Sequence, residues 1–139
     1  MRFMMLMIPS GYEQAEATAQ PTAEMIATMM KYNEALANAG VLLALDGLFP
    51  PSTAVRVSFP GGKPTVTDGP FAEAKEAIGG YWILQVRSRE EAVEWASRCP
   101  AREGDVIELR RIQEMSDFPP ESVPDVPPSV GQRSHPPTQ

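Results

Sequence analysis

The chain reads as an α+β domain of the ferredoxin-like split type, and three observations lead there. Its elements run strand, helix, strand, hairpin, strand, helix, strand, which is two strand–helix–strand units around an antiparallel sheet. Its first strand is apolar on both faces, as a central strand covered on both sides must be. Each helical stretch carries its own start and stop signals.

Residues 2–8 place Phe3, Met5 and Met7 on one face and Met4, Leu6 and Ile8 on the other. The run is too short for the apolar region of a signal peptide, and no small-residue cleavage site follows it. After a loop punctuated by Pro9, Gly11 and Pro21, residues 22–39 turn helical. Met25, Met29, Tyr32, Leu36 and Ala39 recur at three- and four-residue spacings, Thr22 stands as N-cap, and Gly40 is the C-terminal stop. The methionines read as core filler. Residues 41–45 form a second strand ending at Asp46-Gly47. Residues 54–59 and 64–67 form a hairpin around Pro60-Gly61-Gly62-Lys63. Residues 81–87 are the clearest strand. Ser88 and Glu91 then make a capping box for a helix whose apolar side is Ala92, Val93, Trp95, Ala96 and Cys99, with Pro100 as its stop. Residues 105–112 are the last strand.

At 139 residues there is room for one domain, placed at 1–115, with a proline-rich acidic tail at 116–139. Seven of those last 24 residues are proline, so the tail is expected to be extended and to lack a core of its own. A single cysteine, Cys99, permits no intrachain disulfide and makes a poor nucleophile without a core histidine. A net charge of −6 and no basic cluster beyond Arg110-Arg111 argue against nucleic acid as a partner. No segment approaches the roughly 20 apolar residues of a membrane span, so the expectation is a cytoplasmic protein with no membrane partner.

In a split fold both helices lie on one sheet face. Trp82, Leu84, Val86, Ile107 and Leu109 suit that side. The opposite sets are mixed: Tyr81, Ile83 and Gln85, then Val106, Glu108 and Arg110. With Met4, Leu6 and Ile8 at its centre, this open face would be too greasy for water, and a second copy packed sheet to sheet would cover it. A homodimer is therefore expected. The mixed lining is also what a small-ligand cavity uses, with Gln85 and Arg110 as its binding groups; the plainer reading is that Gln85, Glu108 and Arg110 pair across the interface.

The segment Asp68-Gly69-Pro70-Phe71-Ala72-Glu73-Ala74-Lys75-Glu76 is the one short motif with a functional look. Gly69 permits a sharp turn, Pro70 suits a first helical position, Asp68 accepts from the amides beyond it, and Phe71 anchors a short helix to the sheet. That account leaves Glu73, Lys75 and Glu76 over. Glu73 and Glu76 share one helix face, where paired carboxylates tune each other's proton affinity or hold a hard cation, although surface helices also carry such pairs idly. The candidate catalytic groups are Asp68, Glu73 and Glu76. The candidate ligand-binding residues are Asp46, Asp68, Gly69, Pro70, Phe71, Lys75, Gln85 and Arg110, with Asp46 equally readable as a turn-former. No cofactor and no metal are expected.

DGPFAEAKE at 68–76 resembles the signature of the YCII-related, DGPF-domain family. RFMMLM at 2–7, KYNEALANAGVLLALDGLFPP at 31–51, GGYWILQVRSREEAVEWASRCP at 79–100 and IELRRI at 107–112 resemble it too. The resemblance spans residues 2 to about 114 and implies a dimeric α+β barrel of ferredoxin-like subunits in a bacterial protein. It also implies a link to transcription control, since some members accompany sigma factors. Enzyme-like members carry a histidine–aspartate pair in the cleft. Here the single histidine is His135, in the tail, so such a pair has no histidine within the domain.

Two functional readings follow. One is a non-catalytic small-molecule-binding or regulatory module. The other is an enzyme acting on a small organic substrate by carboxylate acid–base chemistry between sheet and DGPF loop.

Overall fold

Strand β1, Arg2–Ile8, has no polar residue after Arg2, and such a strand is stable only between two neighbours. It lies between β5 (Gly80–Gln85) and β6 (Val106–Arg111), with Leu6 opposite Tyr81 on one side and Glu108 on the other. β2 (Leu42–Gly47) adds outside β5, giving the order β2-β5-β1-β6 with every pair antiparallel. The computed structural model describes residues 1–71 and 76–124. Helices α1 (Ala23–Asn38) and α2 (Arg89–Ser97) complete an α+β architecture compatible with the ferredoxin-like fold.

The helix side of the sheet holds the core. Phe3, Met5, Met7, Trp82, Leu84 and Val86 are buried there with Tyr32 and Leu36 of α1 and Ala92 of α2, and Ile107 and Leu109 pack against them. Cys99 is buried in the same cluster, and burial pushes its thiol up to about 12, so it is a packing group at neutral pH. Three aromatic residues bind the layers together. The Tyr32 hydroxyl donates to the Trp95 carbonyl of α2 at 2.7 Å, its ring meets Trp82 edge-on at 6.0 Å, and the Trp82 indole donates to Asn33 at 2.8 Å.

Both helix starts follow from local chemistry. Thr22 accepts from the Met25 amide at 3.2 Å, and Gly40 ends α1 in the left-handed region at φ 74°. Ser88 accepts from the Glu91 amide at 3.1 Å, while the Glu91 carboxylate accepts from the Arg87 amide at 2.9 Å. The reciprocal bond thus reaches one residue earlier than a standard capping box.

The hairpin departs from the single sheet expected. β3 (Val55–Ser58) and β4 (Thr65–Asp68) pair only with each other, as a separate two-stranded sheet. The short helix expected after Gly69 falls on residues 72–75, outside the described residues, together with Glu73 and Lys75. Phe71 and residues 76–79 have no regular structure, so Pro70, which follows a cis Gly69–Pro70 bond, does not open a helix among the described residues. The early tail makes tight turns at Met115–Asp117 and Pro120–Ser122 rather than running straight. Residues 125–139, with His135, lie outside the described residues. Among the described residues no helix is long and apolar enough to cross a membrane.

Replacing Ser88 with Ala should destabilise the protein by about 1 kcal/mol in denaturant unfolding, because the Glu91 amide loses its acceptor. A second prediction concerns acid. The Arg2 guanidinium binds Glu114 through two nitrogens at 2.7 and 3.2 Å and holds that carboxyl below its usual range. A depressed folded value means the contribution is fully present above the unfolded pKa of about 4.3 and is lost as pH falls through the folded value. Urea titrations from pH 6 to pH 3 should therefore show a steeper acid loss for wild type than for Glu114→Gln.

Candidate functional site

The DGPF segment begins where the hairpin ends. Asp68 is the last residue of β4, opposite Val55, and the Gly69 amide carries the ladder one step further by donating to the Ala54 carbonyl at 2.8 Å. Just before β3, Pro50 is fully buried and Pro51–Thr53 form a tight turn, closed by the Thr53 hydroxyl on the Pro50 carbonyl at 2.7 Å. Gly69 lies directly on this turn. A Cβ there would run into the Pro51 carbonyl oxygen and stand 3.2 Å from that of Ala54. Its backbone φ is not in the left-handed region, so glycine is required for close approach and not for turn geometry.

Beyond the turn, the Arg56 guanidinium stacks over the Phe71 ring at 3.8 Å from its centroid. A cavity of about 470 Å³ opens beside this pair. Leu48, Phe49, Phe71 and Ile78 supply apolar walls, and Arg56 and Glu76 bring opposite charges to the lining. Its volume lies in the range of small-ligand sites, but it is an open depression, with Phe49 75% exposed and Leu48 and Ile78 each 44% exposed. A guanidinium placed there brings a positive charge that suits a carboxylate or other planar acceptor. A second groove, of about 530 Å³, lies between α2 and β6, with Phe3, Val93, Ile107 and Leu109 in its lining. It contains none of the motif residues.

The floor of the site is tied to the sheet by backbone. The Leu48 amide donates to the Gly79 carbonyl at 2.9 Å, and the Gly79 amide donates to Met7 at 2.7 Å. The Tyr12 hydroxyl also donates to the Leu48 carbonyl. Next to this junction the Tyr81 hydroxyl donates to the Asp46 carboxylate at 2.8 Å, on the open sheet face. That hydrogen bond is the chief cause that raises the tyrosine above its usual range.

The candidate residues therefore fall into separate places. Asp68 ends the hairpin, Gly69, Pro70, Phe71 and Glu76 follow it, and among these Phe71 and Glu76 line the cavity. Asp46 sits at the neighbouring end of β2 and is a strand residue bonded to Tyr81, not a turn-former. Gln85 is at the far end of β5, roughly 17 Å along the strand from Gly80. Arg110 is opposite Met4 near mid-sheet. Both are exposed on the open face, away from the DGPF junction. Arg56 escaped sequence reasoning, because one arginine in a Val-Arg-Val-Ser strand gives no local signal of stacking on Phe71. Tyr81 was legible only as a member of the open face. Among the described residues no three His, Cys, Asp or Glu side chains gather as a metal site would require.

A family model described as YCII-related domain matches residues 1–116. The chain is also 34% identical over 73 residues to an uncharacterized protein of Rhizobium meliloti (strain 1021). That match takes in 52% of this chain and 56% of the relative, so the chain spans about half the length of the curated relative it matches.

Gly69→Ala should cost about 1–3 kcal/mol in thermal or chemical unfolding, since the added methyl meets backbone oxygens that cannot rotate away. Glu76→Gln should leave stability nearly unchanged, as an exposed carboxylate contributes little. Equal melting temperatures for Gly69→Ala and wild type would mean that the turn is not packed in this way.

Proposed function

The chain belongs to the YCII-related domain family, and from that premise we propose that it is a homodimeric small-molecule-binding module with a regulatory role. The observation that carries this reading is the cavity beside the DGPF loop. Its apolar walls carry an arginine held over Phe71 and a carboxylate, with no histidine or reactive thiol among its described lining residues. Such a lining recognises a small organic ligand by shape and by a salt-bridged acceptor, and it offers little chemistry beyond that. The ligand sits against Leu48, Phe49 and Ile78, pairs with the guanidinium edge of Arg56, and approaches Glu76 with a donor or positive group. Asp68, Gly69 and Pro70 shape the loop. Asp46, Gln85 and Arg110, on the open sheet face, belong to the surface that a second copy covers.

The proposed link to sigma-factor control is what the family resemblance implies; a ligand bound at the hairpin base would act by altering what the dimer presents. A reducing, cytoplasmic setting suits a chain whose one cysteine is a buried packing group. A second reading, an enzyme using carboxylate acid–base chemistry, has Glu76 in its favour, because that side chain lines the cavity.

A melting screen against a metabolite library tests the proposal. A ligand at one hundred times its Kd stabilises by about 2.7 kcal/mol, a shift of several degrees. Arg56→Ala should abolish that shift while leaving the unliganded melting temperature close to wild type. Glu76→Gln should weaken the shift. No stabilising compound, or the same shift in all three proteins, would overturn the reading. Turnover of a hit that disappears in Glu76→Gln would favour the enzyme instead.

A further inference from the structure

We propose that the ligand of the cavity beside the DGPF loop is a small zwitterion with an apolar body, of which an apolar amino acid is the simplest case. The inference rests on the reading of this cavity as a ligand site and adds the chemistry of what it takes. Arg56 and Glu76 both line the cavity, and both residues are exposed. Among the described residues neither forms an ion pair, with the other or with a third group. Opposite charges brought to one depression without pairing there suit a molecule that carries both. The apolar part of the lining is equally open. Leu48, Phe49 and Ile78 are all exposed, and they share the lining with Pro51 and Ala54. An exposed apolar cluster of this kind is a surface for the hydrocarbon part of a ligand.

Charge selects this class over a plain acid or a plain amine. The chain has a net charge of −6, so a simple anion is repelled on approach, whereas a zwitterion has no net charge to repel. In the cavity, an acid without an ammonium sets its carboxylate near Glu76 as well as Arg56. An amine without a carboxylate meets the guanidinium with the same fault. A zwitterion satisfies both residues, and the like-charge contacts reject the other two. Each recognition group is tied to the domain. Arg56 stands opposite Thr67 in the hairpin, with its guanidinium 3.8 Å from the centroid of the Phe71 ring. Glu76 adjoins Ala77, which is 7% exposed and so packed into the domain. The Leu48 amide is bonded to the Gly79 carbonyl, which joins the apolar wall to the segment that carries Glu76. A bound zwitterion therefore links the hairpin to the stretch that follows the loop.

Titration calorimetry on the full chain at neutral pH, with leucine, isoleucine, methionine and phenylalanine as probes, reads the class. At least one of them should bind. Its deaminated acid and its decarboxylated amine should each bind wild type about tenfold less tightly, or weaker still, through loss of one charge-assisted contact. For phenylalanine these analogues are phenylpropionate and phenylethylamine. Glu76→Gln should weaken the amino acid without weakening the acid, and Arg56→Gln should weaken the amino acid without weakening the amine. The comparison of the three ligands on wild type needs no variant, so it decides the matter where Arg56→Gln folds poorly. Equal affinities for the amino acid and both analogues overturn the zwitterion. A stabilising metabolite that depends on Arg56 and has no ammonium, with no amino acid bound, overturns the class and leaves the site. No amino acid bound and no stabilising metabolite overturns the class together with the site.

Discussion

β1 is the strand on which the molecule depends, because nothing in it can face water after Arg2. Its pairing on both edges sets the centre of the sheet, and its two apolar faces need two different covers. One cover is intramolecular. Phe3, Met5 and Met7 lie under the helices, and each such side chain contributes roughly 1.5–3 kcal/mol on burial. The Tyr32 and Trp82 contacts then fix how the helices sit on that face, since a buried hydroxyl and a buried indole N–H each need a partner in a definite direction. The other face is less fully covered: Leu6 is buried, but Met4 and Ile8 are only half-buried and Val106 beside them is exposed.

The face carrying Met4, Leu6 and Ile83 has a polar margin of Asp46, Tyr81, Glu108 and Arg110. The DGPF loop lies to one side of it, at the base of a hairpin that is itself uncovered. The cavity and the exposed hairpin share β3, with Arg56 on the cavity side and the valines on the other.

The conformational demands of the loop and its chemistry are borne by different residues. Gly69 is there because the Pro51 carbonyl leaves no room for a side chain, and Pro50 is buried to hold that carbonyl in place. Those residues explain why the turn exists. Arg56, Phe71 and Glu76 explain what it could recognise, and they come from either side of the turn.

What the sequence determined by itself was everything governed by neighbours within about four positions. The two periodicities marked the strands and helices, Thr22 and Ser88 marked the helix starts, and alternation in β5 and β6 told the helix-facing set from the open set. These are short-range properties, so composition and spacing carry them. The tertiary structure decided which distant groups met. It set Arg56 on Phe71, Tyr81 on Asp46 and Gly69 against Pro51, and it kept Gln85 and Arg110 apart from the loop with which they had been grouped. It also made the hairpin a sheet of its own. None of these outcomes has a local signature, because each depends on register and strand order, which follow from the burial of the whole core at once.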